Sequence, residues 1–121
     1  MKQGLLLLAF LMAVQGALAQ TVPSAENGRA VFAKWCTPCH GAGIVTGELS
    51  GRSPPPGTVA LQLKYRGELP AVLEERTDLT GEFIETVVRG GLFGMPITRK
   101  TEISDSELED IIAYLTRGEA G

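Results

Sequence analysis

The feature that most constrains this chain is the five-residue segment Cys36-Thr37-Pro38-Cys39-His40. Residues three apart lie on one side of a helical turn, so both sulfurs can reach the same flat ligand. His40 follows directly and can present an imidazole nitrogen to a metal at the centre of that ligand. Two cysteines at this spacing, followed by histidine, are the attachment signature of a c-type haem. The segment therefore predicts one covalent haem c bound through Cys36 and Cys39, with His40 as an axial ligand of the iron.

Three other uses of the two cysteines fit the sequence less well. A thioredoxin-like redox pair needs a long helix after it, whereas residues 41–47 are glycine-rich and loop-like. A zinc site needs a fourth ligand, and the chain has no other Cys or His. A disulfide between residues three apart would close a very small loop. Haem attachment is the reading that uses all three side chains.

The N-terminal residues have the pattern of a secretory signal peptide. Lys2 supplies the positive charge, residues 4–14 are apolar, and residues 17–19 (Ala-Leu-Ala) form a small-x-small cleavage site. The prediction is a signal peptide over residues 1–19 and a single haem-binding domain over residues 20–121, located in the periplasm. An uncleaved membrane anchor is the alternative, but the apolar run is short for a bilayer span.

Composition and charge limit the partners. Lys2 is the only charged residue in the predicted signal peptide, so its removal takes the net charge from −3 to −4. An acidic chain is a poor partner for nucleic acid or an anionic membrane surface, and no segment after the signal peptide is apolar enough to span a membrane. With 15 glycines the protein core would be thin, so we expect the haem-free chain to be largely unfolded.

Three amphipathic helices are predicted from apolar residues at helical spacing. The first covers residues 25–35 after an N-cap at Ser24, and the second covers residues 81–89 after an N-cap at Thr80. The third begins at Ser104, which forms a capping box with Glu107, and ends before Gly118.

The stretch between the motif and Thr80 is less regular. Residues 53–57 are proline-rich and predict a stiff loop without helix. Residues 59–65 alternate as in a strand but also fit a helical turn. Pro70 is a suitable first residue for a short helix that reaches Arg76.

Met95 is the second candidate ligand of the iron. Met1 and Met12 lie in the predicted signal peptide, so Met95 is the only thioether of the mature chain. Pro96 restricts Met95 to extended backbone, which helps to aim its side chain. The alternative is that Met95 only fills the core, in which case a lysine or water would be the sixth ligand.

Taken together, these residues resemble class I c-type cytochromes over nearly all of the mature chain. The resemblance implies an all-α cytochrome c fold, with three main helices and loops packed around one haem. It also implies that the first and last helices cross, with Gly28 and Phe32 of the first against Ile111 and Tyr114 of the last.

The resemblance further implies partners for the haem and for its histidine. In this family the histidine usually donates its second ring nitrogen to a proline carbonyl, for which one of the three prolines at 54–56 is expected. Tyr65, Trp35 and Arg66 are candidates for contacts to the haem propionates, with surface packing as the alternative for each.

The expected function is single-electron transfer rather than enzymatic catalysis, because an iron closed by His40 and Met95 has no vacant position for a substrate. Methionine ligation favours Fe(II) and raises the potential. Four apolar side chains are expected to shield the iron and to raise its reduction potential further: Phe83, Leu92, Phe93 and Ile97.

The expected partner proteins are a dehydrogenase as electron donor and a cytochrome or oxidase as electron acceptor. Residues 67–89 look similar to the cytochrome subunits of flavocytochromes such as 4-cresol dehydrogenase, which favours a subunit or fixed partner. A freely diffusing periplasmic carrier is the alternative. A haem sensor or peroxidase-like enzyme would need an open iron.

Overall fold

A computed structural model describes residues 22–43 and 54–118 of the chain. The predicted signal peptide and its cleavage site lie outside these residues. Within them the chain forms five α-helices and one 3₁₀ turn, and no strand. In chain order these are α1 (Ala25–Trp35), α2 (Thr37–His40), α3 (Pro56–Tyr65), the 3₁₀ turn (Leu73–Glu75), α4 (Gly81–Gly90) and α5 (Asp105–Leu115). The all-α prediction is confirmed.

The three predicted helices begin at the predicted N-caps. The hydroxyls of Ser24 and Thr80 each accept a hydrogen bond from a backbone N–H in the first turn of their helix. Ser104 and Glu107 form the complete capping box, because the Glu107 carboxylate also accepts from the Ser104 backbone N–H at 2.8 Å. Local sequence chemistry therefore determines where α1, α4 and α5 start.

The segment before Thr80 departs from two predictions. The stiff loop predicted at 53–57 does not extend to its end, because α3 begins at Pro56. A proline fits the first helical turn, where its missing N–H would have no partner. Residues 59–65 are helical rather than extended. The short helix predicted from Pro70 is only the 3₁₀ turn Leu73–Glu75, since the backbone is extended again at Arg76.

Helices α1 and α5 form the main helix–helix contact, as expected. A Cβ added at Gly28 would lie 2.9 Å from the Ile111 backbone nitrogen and closer still to the Asp110 carbonyl, so only glycine permits this approach. One turn along, the rings of Phe32 and Tyr114 pack with centroids 5.7 Å apart. The predicted crossing and its contact residues are confirmed.

One core cluster lies between these two helices, α4 and the segments that flank them. Its buried members are Phe32, Leu79, Ile84, Val88, Ile103, Leu108, Ile111, Tyr114 and Leu115. Partly buried side chains at its edge include those of Cys36 and Met95. In the part of the chain that the structure describes, no helix is long and apolar enough to cross a membrane.

Candidate cofactor site

The Cys-x-x-Cys-His segment continues directly from α1. The Cys36 N–H donates to the Phe32 carbonyl at 2.8 Å and ends α1, and the Cys36 carbonyl then accepts from the N–H groups of Cys39 (3.0 Å) and His40 (2.8 Å). This single turn brings residues 36, 39 and 40 to one end of α1. Because α1 is packed on α5 through Phe32, the motif is rigidly attached to the core.

The two cysteines are free thiols, so they form no disulfide with each other. Cys36 is half-buried and Cys39 is exposed. Burial, with a smaller effect of neighbouring Cys39, raises the pKa of the Cys36 thiol to about 11. Among the described residues, no group of three or more His, Cys, Asp or Glu side chains could hold a metal ion.

His40 lies against the start of α3. A Cβ at Gly57 would be 2.8–2.9 Å from the imidazole Cε1 and Nδ1, so the absence of a side chain there makes room for the ring. Burial lowers the pKa of His40, which favours the neutral imidazole that metal coordination requires. Beside it, the buried Thr58 hydroxyl donates to the Gly41 carbonyl at 2.7 Å. These contacts hold the turn after His40 on α3.

The Nδ1 atom of His40 is buried and has no hydrogen-bond partner among the described residues. The proline carbonyl expected from the resemblance is therefore not provided by Pro54, Pro55 or Pro56. For Pro55 the physical reason is local: α3 starts at Pro56, and the Pro55 carbonyl accepts from the Val59 N–H of the first helical turn at 3.0 Å.

Met95 closes a four-residue turn after α4. The backbone groups of Leu92 and Met95 exchange two hydrogen bonds, at 3.3 and 2.9 Å. Phe93, within the turn, has a φ of +51°, which is unusual for a residue with a side chain. The Met95 side chain is half-buried and packs against the edge of the core cluster. The structure thus brings Met95 and Cys36 to the same core from distant parts of the sequence.

The four apolar side chains expected near the iron lie at the surface of the described chain. Their exposed fractions run from 39% for Leu92 and 46% for Phe83 to 54% for Ile97 and 95% for Phe93. Trp35, next to the motif, is also exposed. Apolar side chains around both the motif and Met95 offer a surface for a flat apolar group. With free thiols, a neutral imidazole and one thioether, the residues present fit a haem.

A polar cluster at the end of α3 contains one predicted propionate candidate, Tyr65, and one residue that was not predicted, Arg76. The Arg76 guanidinium is buried, lies 4.7 Å from the Tyr65 ring centroid and forms two hydrogen bonds with Asp78. Hydrogen bonding to Arg76 lowers the pKa of Tyr65. Arg66 is exposed at the end of α3. A buried arginine in an otherwise irregular stretch carries no periodic signal, which is why the sequence did not indicate it.

The all-helical fold, with its haem-attachment turn fixed between α1 and α3, defines a c-type cytochrome domain. Comparison with protein families agrees: residues 23–115 match the family described as cytochrome c oxidase, cbb3-type, subunit III. The chain belongs to this family. It therefore carries a covalently bound haem c and takes part in haem-based electron transfer with redox partner proteins. No curated protein and no solved structure matches the chain.

Proposed function

We propose that Cys36 and Cys39 hold the haem through thioethers, and that His40 and Met95 are its axial ligands. The protein would then carry single electrons from a periplasmic dehydrogenase to the respiratory chain, as a subunit or partner of that enzyme. The observation that carries this proposal is the packing of Cys36 and Met95 against one core cluster. Two ligand segments that are about 60 residues apart in sequence are thereby held by the same rigid support.

Each ligand side chain has a chemical role that its surroundings support. The bound haem supplies one-electron chemistry through its iron. His40 is kept neutral by burial and has its ring seated against Gly57, so a nitrogen lone pair is available to the metal. The Met95 sulfur is a soft donor that would stabilise reduced iron and raise its reduction potential. If His40 and Met95 both bind the iron, the iron would have no free position for a substrate, so we expect no bond-making activity.

Features outside the site support the proposed localisation and partner. The signal-peptide pattern of residues 1–19 supports export, where cysteines and haem can be joined. The similarity of residues 67–89 to flavocytochrome subunits supports a dehydrogenase as donor. The family description names an oxidase subunit, which supports an oxidase as a class of acceptor. A freely diffusing carrier is the alternative, and co-purification from the native host distinguishes the two.

The ligand assignment can be tested on protein purified from the periplasm. We expect the wild type to retain haem on a denaturing gel and the variant with both Cys36→Ala and Cys39→Ala to lose it. The oxidised wild type should show the methionine-to-iron charge-transfer band at the red end of the visible spectrum. The reduced form should not bind carbon monoxide.

Met95→Leu keeps an apolar side chain of similar size but removes the sulfur. We expect it to lose the charge-transfer band, to bind carbon monoxide when reduced and to have a lower potential. Phe93→Ala, two residues away and exposed, is the matched control and should keep the band. A wild-type protein without the band, or with ready carbon monoxide binding, would rule out Met95 as the ligand.

A further inference from the structure

One side chain, Arg89, donates two hydrogen bonds to the segment that follows Met95 and a third to the start of α5. Residues 96–104 connect the Met95 turn to α5 and contain no helix or strand. A ligand on a loop keeps its position only if the backbone on both sides of it is fixed. Before Met95 the backbone leaves α4 at Gly90 and is held by the turn from Leu92 to Met95. After Met95 the support comes from Ile103, which is buried in the core cluster, and from hydrogen bonds to α4 and α5.

Arg89, in the last turn of α4, makes three of these hydrogen bonds. Its Nη1 donates to the Thr98 carbonyl at 3.1 Å and to the Ile103 carbonyl at 2.9 Å. Its Nη2 donates to Asp105, the first residue of α5, at 3.0 Å. One guanidinium therefore joins α4, both ends of the segment after Met95, and α5. A backbone bond from the Thr98 N–H to the Val88 carbonyl, at 2.8 Å, lies beside it.

Burial and charge make this arrangement depend on arginine. The Arg89 side chain is 19% exposed, so its hydrogen bonds are only partly replaceable by water. The guanidinium has five N–H donors in a rigid planar fork, whereas a lysine offers one compact ammonium. Lys100 also pairs with Asp105, at 2.6 Å, but its side chain is 71% exposed. Lys100 is therefore part of the same charge cluster but is mostly in solvent.

We propose that Arg89 is a positioning residue for Met95: by holding the carbonyls of Thr98 and Ile103 it fixes the segment that keeps the methionine sulfur at the iron. This inference rests on the proposed ligation by Met95. It predicts that Arg89 controls how firmly the sulfur is held, although Arg89 belongs to α4 and is not itself a ligand.

The test compares Arg89→Met with Lys100→Met in the haem-loaded protein. Both substitutions remove one positive charge and one partner of Asp105, but only Arg89→Met releases the two carbonyls. We measure the charge-transfer band of the oxidised form as pH rises, carbon monoxide binding by the reduced form, and the denaturant midpoint. Loss of hydrogen bonds from a charged group should raise the population of the sulfur-released form about tenfold or more in Arg89→Met. As pH rises, the band of Arg89→Met should therefore disappear at a lower pH than the band of the wild type. Lys100→Met should behave as the wild type.

Arg89→Lys keeps the positive charge but not the planar guanidinium, so we expect its band to disappear at a pH between those of Arg89→Met and the wild type. If Arg89→Met does not fold, Arg89→Lys tests the role of Arg89 in its place. Wild-type behaviour of the band and of carbon monoxide binding in both Arg89 variants would overturn the inference, as would an equal effect in Lys100→Met. A wild-type protein with the band and an unaffected Arg89→Met rejects the role of Arg89 alone. A wild-type protein without the band rejects the Met95 ligation and this inference together.

Discussion

Replacing Gly28 by alanine should loosen the contact between α1 and α5 that supports the haem-attachment segment. The new Cβ would meet the backbone of α5, 2.9 Å from the Ile111 nitrogen and nearer to the Asp110 carbonyl. Backbone atoms within a helix cannot move aside individually, so the two helices must separate. Such a separation also weakens the contact between Phe32 and Tyr114 farther along the same interface.

The magnitude is the difference of two opposing effects. Alanine in a helix interior is favoured over glycine by about 1 kcal/mol. Overpacking of a tight contact costs about 1–3 kcal/mol and occasionally more, and here the obstacle is backbone, so the upper part of that range applies. The difference is about 2–3 kcal/mol minus about 1 kcal/mol, so we expect Gly28→Ala to lower the free energy of unfolding by about 1–2 kcal/mol. Against a typical total of about 5–15 kcal/mol, this is a large loss.

Denaturant unfolding of the haem-loaded protein, followed by helical circular dichroism, measures this change. Gly90→Ala is the matched control, because a Cβ at Gly90 meets no described atom within 4 Å. We expect the control to be unchanged or up to about 1 kcal/mol more stable. If Gly28→Ala were as stable as Gly90→Ala, the close approach of the two helices would not be what requires glycine at position 28.

Three further predictions concern stability. Ser104→Ala removes the hydroxyl that accepts from the Glu107 N–H and donates to the Glu107 carboxylate, and should cost about 0.5–2 kcal/mol in the same denaturant assay; an unchanged midpoint would contradict this. Phe93→Gly relieves a φ of +51° without loss of packing and should be at least as stable as Phe93→Ala, which keeps the strain; the reverse order would refute it. The hydrogen bond from Arg76 lowers the pKa of Asp78 below its ordinary 3.8. The contribution of the Arg76–Asp78 pair to the free energy of unfolding is therefore present above that pH and is lost as pH falls through the lowered pKa. Asp78→Asn should therefore flatten the thermal stability profile below about pH 4, and a profile parallel to the wild type would show that the pair does not contribute.

Local sequence chemistry predicted the start of each helix that has a capping side chain at its N-terminus. The N-caps at Ser24, Thr80 and Ser104 start their helices as predicted, because a side-chain oxygen satisfies a backbone N–H within the same turn. Capping depends on residues only three apart, so no knowledge of the rest of the chain is needed. The haem-attachment motif is equally local, since all its members lie on one turn.

The segment before α4 was predicted less well for the opposite reason. Residues 59–65 fit both a strand and a helix, and the choice of helix α3 follows from its packing against the turn at His40 through Gly57 and Thr58. The pairing of Arg76 with Tyr65 and Asp78 has no periodic pattern by which it could be read from sequence. The absence of a proline-carbonyl partner for His40 likewise depended on where α3 begins.

The sequence by itself thus determined which groups can do the chemistry: two thiols, one imidazole and one thioether outside the predicted signal peptide. Only the tertiary structure decided how those groups are held. Met95 and Cys36 pack against the same core cluster, Gly28 lets α1 and α5 approach, and Arg89 donates hydrogen bonds to the segment between α4 and α5. Contacts between residues so distant in sequence depend on the packed geometry of the whole chain, and no local pattern encodes them.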